Sequence, residues 1–162
     1  MTNVRVLAVA AVLGLVAWLC WQVAADSLDQ TPPNIDAVTW FIQEVWPQVH
    51  RRHPKATFLV VGRRPSSAIQ SLNEVPGVHI VGEVPDVRPY FERSQIGIVP
   101  LRIARGLQNK VLESMACQRP VVTSRLPLQS LRTVPGRDLL AADSPEEWVQ
   151  AVTSLLEDPH RA

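Results

Sequence analysis

The sequence predicts an α/β fold, a parallel sheet with helices on both faces. Three observations carry this. Short apolar runs of strand composition recur: Thr57-Phe58-Leu59-Val60-Val61, Val78-His79-Ile80-Val81 and Ile96 to Leu101, the first two closed by Gly62 and Gly82. Each run is followed by a stretch with helical spacing or helix-start chemistry. Runs this apolar suit a sheet covered on both sides, which parallel strands joined by helical crossovers provide.

The first 25 residues stand apart from this pattern. Val6 to Ala25 is almost unbroken apolar sequence, with Gln22 its main polar exception. About 20 such residues span a bilayer as a helix, so an apolar N-terminal helix is expected ahead of the sheet. Three readings fit residues 1–25. One is a membrane anchor, with Trp18 and Trp21 at its interfacial end. Another is a signal segment, with Arg5 as its charged start and Val23-Ala24-Ala25 as cleavage-like small residues. The third is a start not native to the domain behind it. Residues 26–33, with Thr31-Pro32-Pro33, read as a linker.

The domain proper is expected over residues 34–162. Asn34 to about His53 reads as a helix with Asn34 as N-cap. Val38, Phe41, Ile42, Val45 and Val49 form its apolar stripe. Pro47 is expected to kink it or end it near Trp46. After the first strand, Pro65 to Leu72 is a short helix candidate, and Val87 to Arg93 is another after the second. Leu107 to Cys117 has the strongest helical pattern, with Leu107, Val111, Leu112, Met115 and Ala116 on one face. Val121-Val122-Thr123 and Leu139-Leu140-Ala141 are further strands. Ser144 caps a last helix, with Pro145 at its first position and Glu147 completing a capping box. Trp148, Val152, Leu155 and Leu156 give that helix its apolar face.

Composition narrows function by exclusion. Sixteen basic and fifteen acidic residues leave a net charge of +1, which speaks against a bulk nucleic-acid binder. Cys20 and Cys117 form no CxxC or Cys/His cluster, so neither a zinc site nor a disulfide framework is expected.

Ligands of such sheets bind beyond the carboxyl ends of the strands. That rule selects four loops: residues 62–67, 82–87, 102–110 and 124–130. The third carries the most chemistry. Arg102, Arg105 and Lys110 stand there with no acid before Glu113. Gly106 lets the backbone turn into a helix whose first N–H groups and dipole favour an anion. Glu113 lies one turn beyond Lys110. Cations and N–H donors for phosphates, with a carboxylate to accept from ribose hydroxyls, are what a nucleoside diphosphate needs. On spacing alone, Lys110 and Glu113 read more readily as a solvated i,i+3 ion pair.

The run from Gly106 to Val122 weights the choice. With Lys110, Glu113 and Ser114-Met115-Ala116-Cys117-Gln118-Arg119-Pro120-Val121-Val122, it resembles the donor-binding signature of group 1 (family 4-like) glycosyltransferases of the GT-B fold. Phe58 to Gly62, Val81-Gly82-Glu83-Val84, Ile98-Val99-Pro100-Leu101 and Leu155-Leu156-Glu157-Asp158-Pro159 match in the same order. The resemblance covers residues 27–162. It implies a Rossmann-like domain that is a single half of a GT-B fold. It further implies transfer of a glycosyl group from a nucleotide diphosphate sugar to a hydroxyl acceptor, with the nucleotide as substrate and no cofactor or metal. By resemblance Glu113 binds the ribose. Gly106, Gln108, Asn109 and Lys110, with Arg102 and Arg105, surround the diphosphate and sugar. Gly82, Glu83 and Val84 lie against the base, with Gly62 beside them. No catalytic residue is assigned.

Two positions depart from the family pattern. Arg105 stands where many members have a second glutamate, and Gln118 stands where a glycine is common. The resemblance also implies an acceptor domain that the residues before Asn34 are too few to build. It is expected to be absent or on another chain, leaving this chain truncated and inactive alone. Nucleotide sugars are cytosolic, so the cytoplasm or the cytoplasmic face of the inner membrane is expected, with membrane association through residues 6–25. Arg5 before the apolar run and Asp26, Asp29 and Asp36 after it pull the other way and leave export open. Two alternatives stand: a non-catalytic membrane-anchored nucleotide-binding or scaffolding module, and a nucleotide-sugar epimerase-like domain. Elsewhere, His50, Arg51, Arg52, His53 and Lys55 read as a solvated helix end, His79 as a strand residue, and Cys117 as buried and inert. Arg63 and Arg64 follow Gly62 at a strand end, where contact with the ligand is the lesser of two readings.

Overall fold

The computed structural model describes residues 18–22, 32–62, 65–103 and 109–158. Its centre is a six-stranded sheet: β1 (Trp18–Gln22), β2 (Thr57–Val61), β3 (Val78–Gly82), β4 (Ile96–Val99), β5 (Val121–Thr123) and β6 (Leu140–Ala141). The spatial order is β3-β2-β1-β4-β5-β6 and every pairing is parallel. This is the doubly wound order, which reverses direction between β1 and β4.

The N-terminal expectation is corrected here. Trp18–Gln22 is a strand rather than part of an apolar helix, and it sits in the middle of the sheet. Trp18 to Gln22 pair in register with Thr57 to Val61, while Leu19 and Cys20 pair with Ile96 and Gly97. An unbroken apolar run carries no period that separates a central strand from a helix, and pairing on both sides decides the matter. Residues 6–17 and 23–25 lie outside the described residues. Among the described residues no helix is long and apolar enough to cross a membrane.

Helix α1 (Pro32–Trp40) starts before Asn34 and takes in the prolines assigned to a linker. Proline suits a first helical turn because the N–H it lacks would have no partner there. The chain then passes through a π-helical turn, Phe41–Val45, into α2 (Trp46–Arg52). The N–H of Trp46 bonds to the carbonyl of Phe41, five residues back. That register slip absorbs Pro47 at the start of α2, so the expected break becomes a bulge.

The remaining helices are α3 (Ser67–Ser71), α4 (Arg88–Arg93), α5 (Asn109–Ala116) and α6 (Pro145–Glu157), with short 3-10 turns at Leu72–Glu74 and Leu126–Ser130. Helix α6 packs against α2 and the π turn. Their shared core is aromatic. Phe41 lies 4.8 Å from Phe58 and 5.6 Å from Trp148, and Trp46 lies 5.8 Å from Phe58, centroid to centroid. The indole N–H of Trp46 donates to the carbonyl of Pro76 at 2.9 Å, which satisfies the polar end of a fully buried ring. A smaller apolar cluster joins Val61 and Phe91 with Val81, Val84, Val87, Tyr90 and Cys117. Helix α5 runs close over β4. A Cβ at Gly97 would stand 3.0 Å from the Cβ of Ser114, so the strand needs glycine there.

Candidate functional site

The order reversal leaves a crevice outside the carboxyl ends of β1 and β4. Two helices begin beside it: α1, which follows β1, and α5, which follows β4. Lys110, in the first turn of α5, is buried, and its ammonium donates to Oδ1 of Asn34 at 2.7 Å. Asn34 is itself buried, in the first turn of α1. The contact ties the two helix starts together across 76 residues of sequence.

Arg102 makes a second tie. Its Nη2 donates to Oδ1 of Asp36 at 2.6 Å and its Nε donates to Oδ2 at 3.0 Å. The guanidinium also stands 5.3 Å from the ring centre of Trp40. The hydrogen bond and charge of Asp36 hold the guanidinium firmly protonated. Its Nε edge is therefore engaged by Asp36 rather than open to a ligand.

Glu113 lies one turn past Lys110 and is half-buried. Its Oε2 is buried and has no hydrogen-bond partner among the described residues. Burial pushes the carboxyl above its ordinary value, and the nearby Lys110 charge pulls it down. An unpaired carboxylate oxygen in partial burial is costly, and a ligand hydroxyl would relieve that cost. Lys110 and Glu113 are thus not the solvated surface pair that spacing alone suggests. Asn109 opens α5 and is exposed. Arg105, Gly106 and Gln108 lie outside the described residues, as do Arg63 and Arg64.

The second group assembles at the ends of β2 and β3. The N–H of Gly62 donates to the carbonyl of Gly82 at 3.0 Å. Gly82 has φ +78°, a left-handed conformation that favours glycine, and nothing stands within 4 Å of where its Cβ would be. The chain therefore turns there beside open space. Glu83 is exposed, while Val84 packs into the small apolar cluster.

Asn34, Asp36 and Trp40 complete the crevice, yet the sequence reading gave them no part in binding. The only local signal was a polar pair at the start of a helix. Ser124, just past β5, is a second such case: it is buried and its hydroxyl has no partner among the described residues. The basic cluster falls at the end of α2, as expected. His50 stacks on Trp46 with centroids 5.3 Å apart, and His53 lies 3.8 Å from Glu157. His79 is exposed and Cys117 is half-buried, its thiol pushed up first by burial.

Two cavities lie elsewhere. One of about 450 Å³ runs along α6 beside the edge strand β6, lined by Arg125, Glu147, Gln150 and Ser154 among others. The other, about 350 Å³, is lined by Arg52, His53, Lys55 and Gln95 among others. Neither is lined by Arg102, Lys110 or Glu113.

Comparison with known proteins finds relatives in sequence and in fold. The chain is 23% identical over 126 residues to glycosyltransferase 1 domain-containing protein 1 of Xenopus tropicalis, covering 74% of this chain and 36% of that protein. Its fold is similar to that of HepE from Anabaena, solved in complex with UDP and glucose: TM-score 0.65, 14% identity, 90% of this chain and 40% of that one. It is similar also to the C-terminal domain of the group 1 glycosyl transferase LpcC from Francisella tularensis: TM-score 0.60, 14% identity, 90% of this chain and 77% of that one. The chain thus spans well under half the length of the Xenopus and Anabaena proteins. The family model for group 1 glycosyl transferases matches residues 27–158, and the chain belongs to that family.

Proposed function

We propose that this chain is the donor-binding half of a glycosyltransferase, holding a nucleotide diphosphate sugar at the crevice between β1 and β4. The observation that carries the reading is Glu113, whose buried Oε2 lacks a partner one turn from Lys110. A ribose hydroxyl donating to that oxygen satisfies it. The start of α5 and the Lys110 ammonium face the diphosphate and stabilise it as it leaves. Gly82, with open space beside it, gives the base a flat seat. That HepE was solved with UDP and glucose supports a nucleotide sugar as the ligand class. The cytoplasm, where nucleotide sugars are made, is the compartment that suits this site.

The test is calorimetry of the full chain with UDP and GDP. The expected Kd is on the order of 0.1–1 mM, because one wall of a two-domain cleft contributes only part of the binding energy. Absence of heat with either nucleotide at millimolar concentration rejects the reading. We further expect the chain alone to form no glycosylated product. Transfer needs donor and acceptor held in one geometry, and beside Glu113 the other described carboxylate at the crevice, Asp36, is bound to Arg102. Incubation with radiolabelled UDP- and GDP-sugars and a lipid extract checks this. Label transferred above a Lys110→Ala control would show that a single domain suffices.

A further inference from the structure

We propose that Asp36, backed by Trp40, is a positioning residue: it holds Arg102 away from the donor and fixes the chain leaving β4 against α1, beside Lys110 and Glu113. The inference rests on the donor-site reading above. Arg102 follows β4 closely, at the first turn of the chain toward α5. The fork of its guanidinium meets both oxygens of Asp36, at 2.6 and 3.0 Å, an arrangement that fixes direction as well as distance. Trp40, one helical turn beyond Asp36, lies under the same guanidinium at 5.3 Å. At the far end of the loop, Lys110 reaches Asn34 at 2.7 Å. Residues 102 and 110 are therefore both pinned to α1, across sequence separations of 66 and 76.

Two physical points separate this role from donor contact and from mere stabilisation. The carboxylate of Asp36 offsets the charge of Arg102, which weakens it as a phosphate ligand. The pair is also partly open to solvent, with side-chain exposures of 46% and 29%, so it adds little to fold stability. What the pair supplies is orientation. Together with the Lys110–Asn34 contact, it fixes how the chain leaving β4 and the start of α5 sit against α1, beside Glu113.

The experiment measures UDP and GDP binding by the full chain for wild type, Asp36→Asn, Arg102→Gln, the double variant and Asp36→Glu, with a melting curve for each. Positioning predicts that each of the first two variants weakens binding about tenfold, and that the double variant is no weaker than either. Asp36→Glu keeps the carboxylate and should recover most of the affinity. Direct contact predicts a different pattern: Arg102→Gln weakens binding, while Asp36→Asn frees the guanidinium and binds as well as wild type or better. That pattern overturns the proposal, as do additive losses in the double variant. Loss of binding that tracks a collapse of the melting transition also overturns it, because the pair would then be holding the fold. Wild type that binds neither nucleotide rejects the donor-site reading and this inference with it. Wild type that binds, with Asp36→Asn unchanged, rejects the inference alone.

Discussion

At the scale of single residues, Glu113 couples burial to function. Its carboxyl is raised by burial, so the folded state binds this proton more tightly than the unfolded chain does. The destabilisation is absent at acid pH, where both states are protonated, and develops as pH rises through the ordinary glutamate value of 4.5 toward the raised one. Glu113→Gln should therefore melt higher than wild type at neutral pH and converge with it in acid, which paired melting curves will show. The same change should weaken nucleoside diphosphate binding by about 1–3 kcal/mol, as for a lost hydrogen bond to a charged group. Gln118 is a second strained residue, with φ +54° just after α5. Gln118→Gly should stabilise the protein by about 1 kcal/mol, read from denaturant unfolding, because glycine carries no Cβ penalty there. Both residues were visible in the sequence, Glu113 by its spacing from Lys110 and Gln118 by standing where glycine is common. Asn34 and Asp36 were not visible as partners of Lys110 and Arg102. Those contacts exist only because β1 and β4 are neighbours, and no local pattern encodes that adjacency.

At the scale of elements, the start of α6 shows chemistry that sequence reads well. Ser144 Oγ accepts from the N–H of Glu147 at 3.2 Å, and Glu147 Oε2 accepts from the N–H groups of Asp143 and Ser144 at 2.8 and 3.4 Å. The expected capping box is present. Arg125 adds a charge to it at 2.8 Å, and its hydrogen bond is the main reason Glu147 falls from the ordinary 4.5 to about 2. A depressed carboxyl contributes stability that is complete above pH 4.5 and is lost as pH falls toward 2. Glu147→Gln should flatten that part of the acid limb of a melting-temperature profile and leave its neutral part less stable. Ser144→Ala should cost about 1 kcal/mol at any pH. The strands from β2 to β6 were legible from their apolar runs, with ends shifted by a residue or two. The π turn was not. Proline chemistry announces a disturbed helix at Pro47, but packing of Phe41 and Val45 in the core decides whether the helix breaks or slips register.

At the scale of the whole molecule, the position of β1 governs what can be removed. A version of the protein beginning at Ser27 keeps the whole of the family match yet lacks the strand between β2 and β4. We expect it to lose its cooperative melting transition and much of its circular dichroism. A version beginning shortly before Trp18 should keep both. The parallel class of the sheet followed from composition, whereas its centre was misassigned because an apolar run reads alike as an anchor or a buried strand. Synthesis adds a consequence of its own. The ribosome releases Trp18–Gln22 first, but its neighbours Thr57–Val61 and Ile96–Val99 emerge much later. A nascent chain that has reached β3 presents an open, apolar strand edge where β4 will go, the kind of edge that recruits other chains. Contacts this distant in sequence also make for slow folding. The middle of the sheet, first to be made, is closed only once most of the domain exists, and slowed translation between β3 and β4 is where aggregation of this protein should begin.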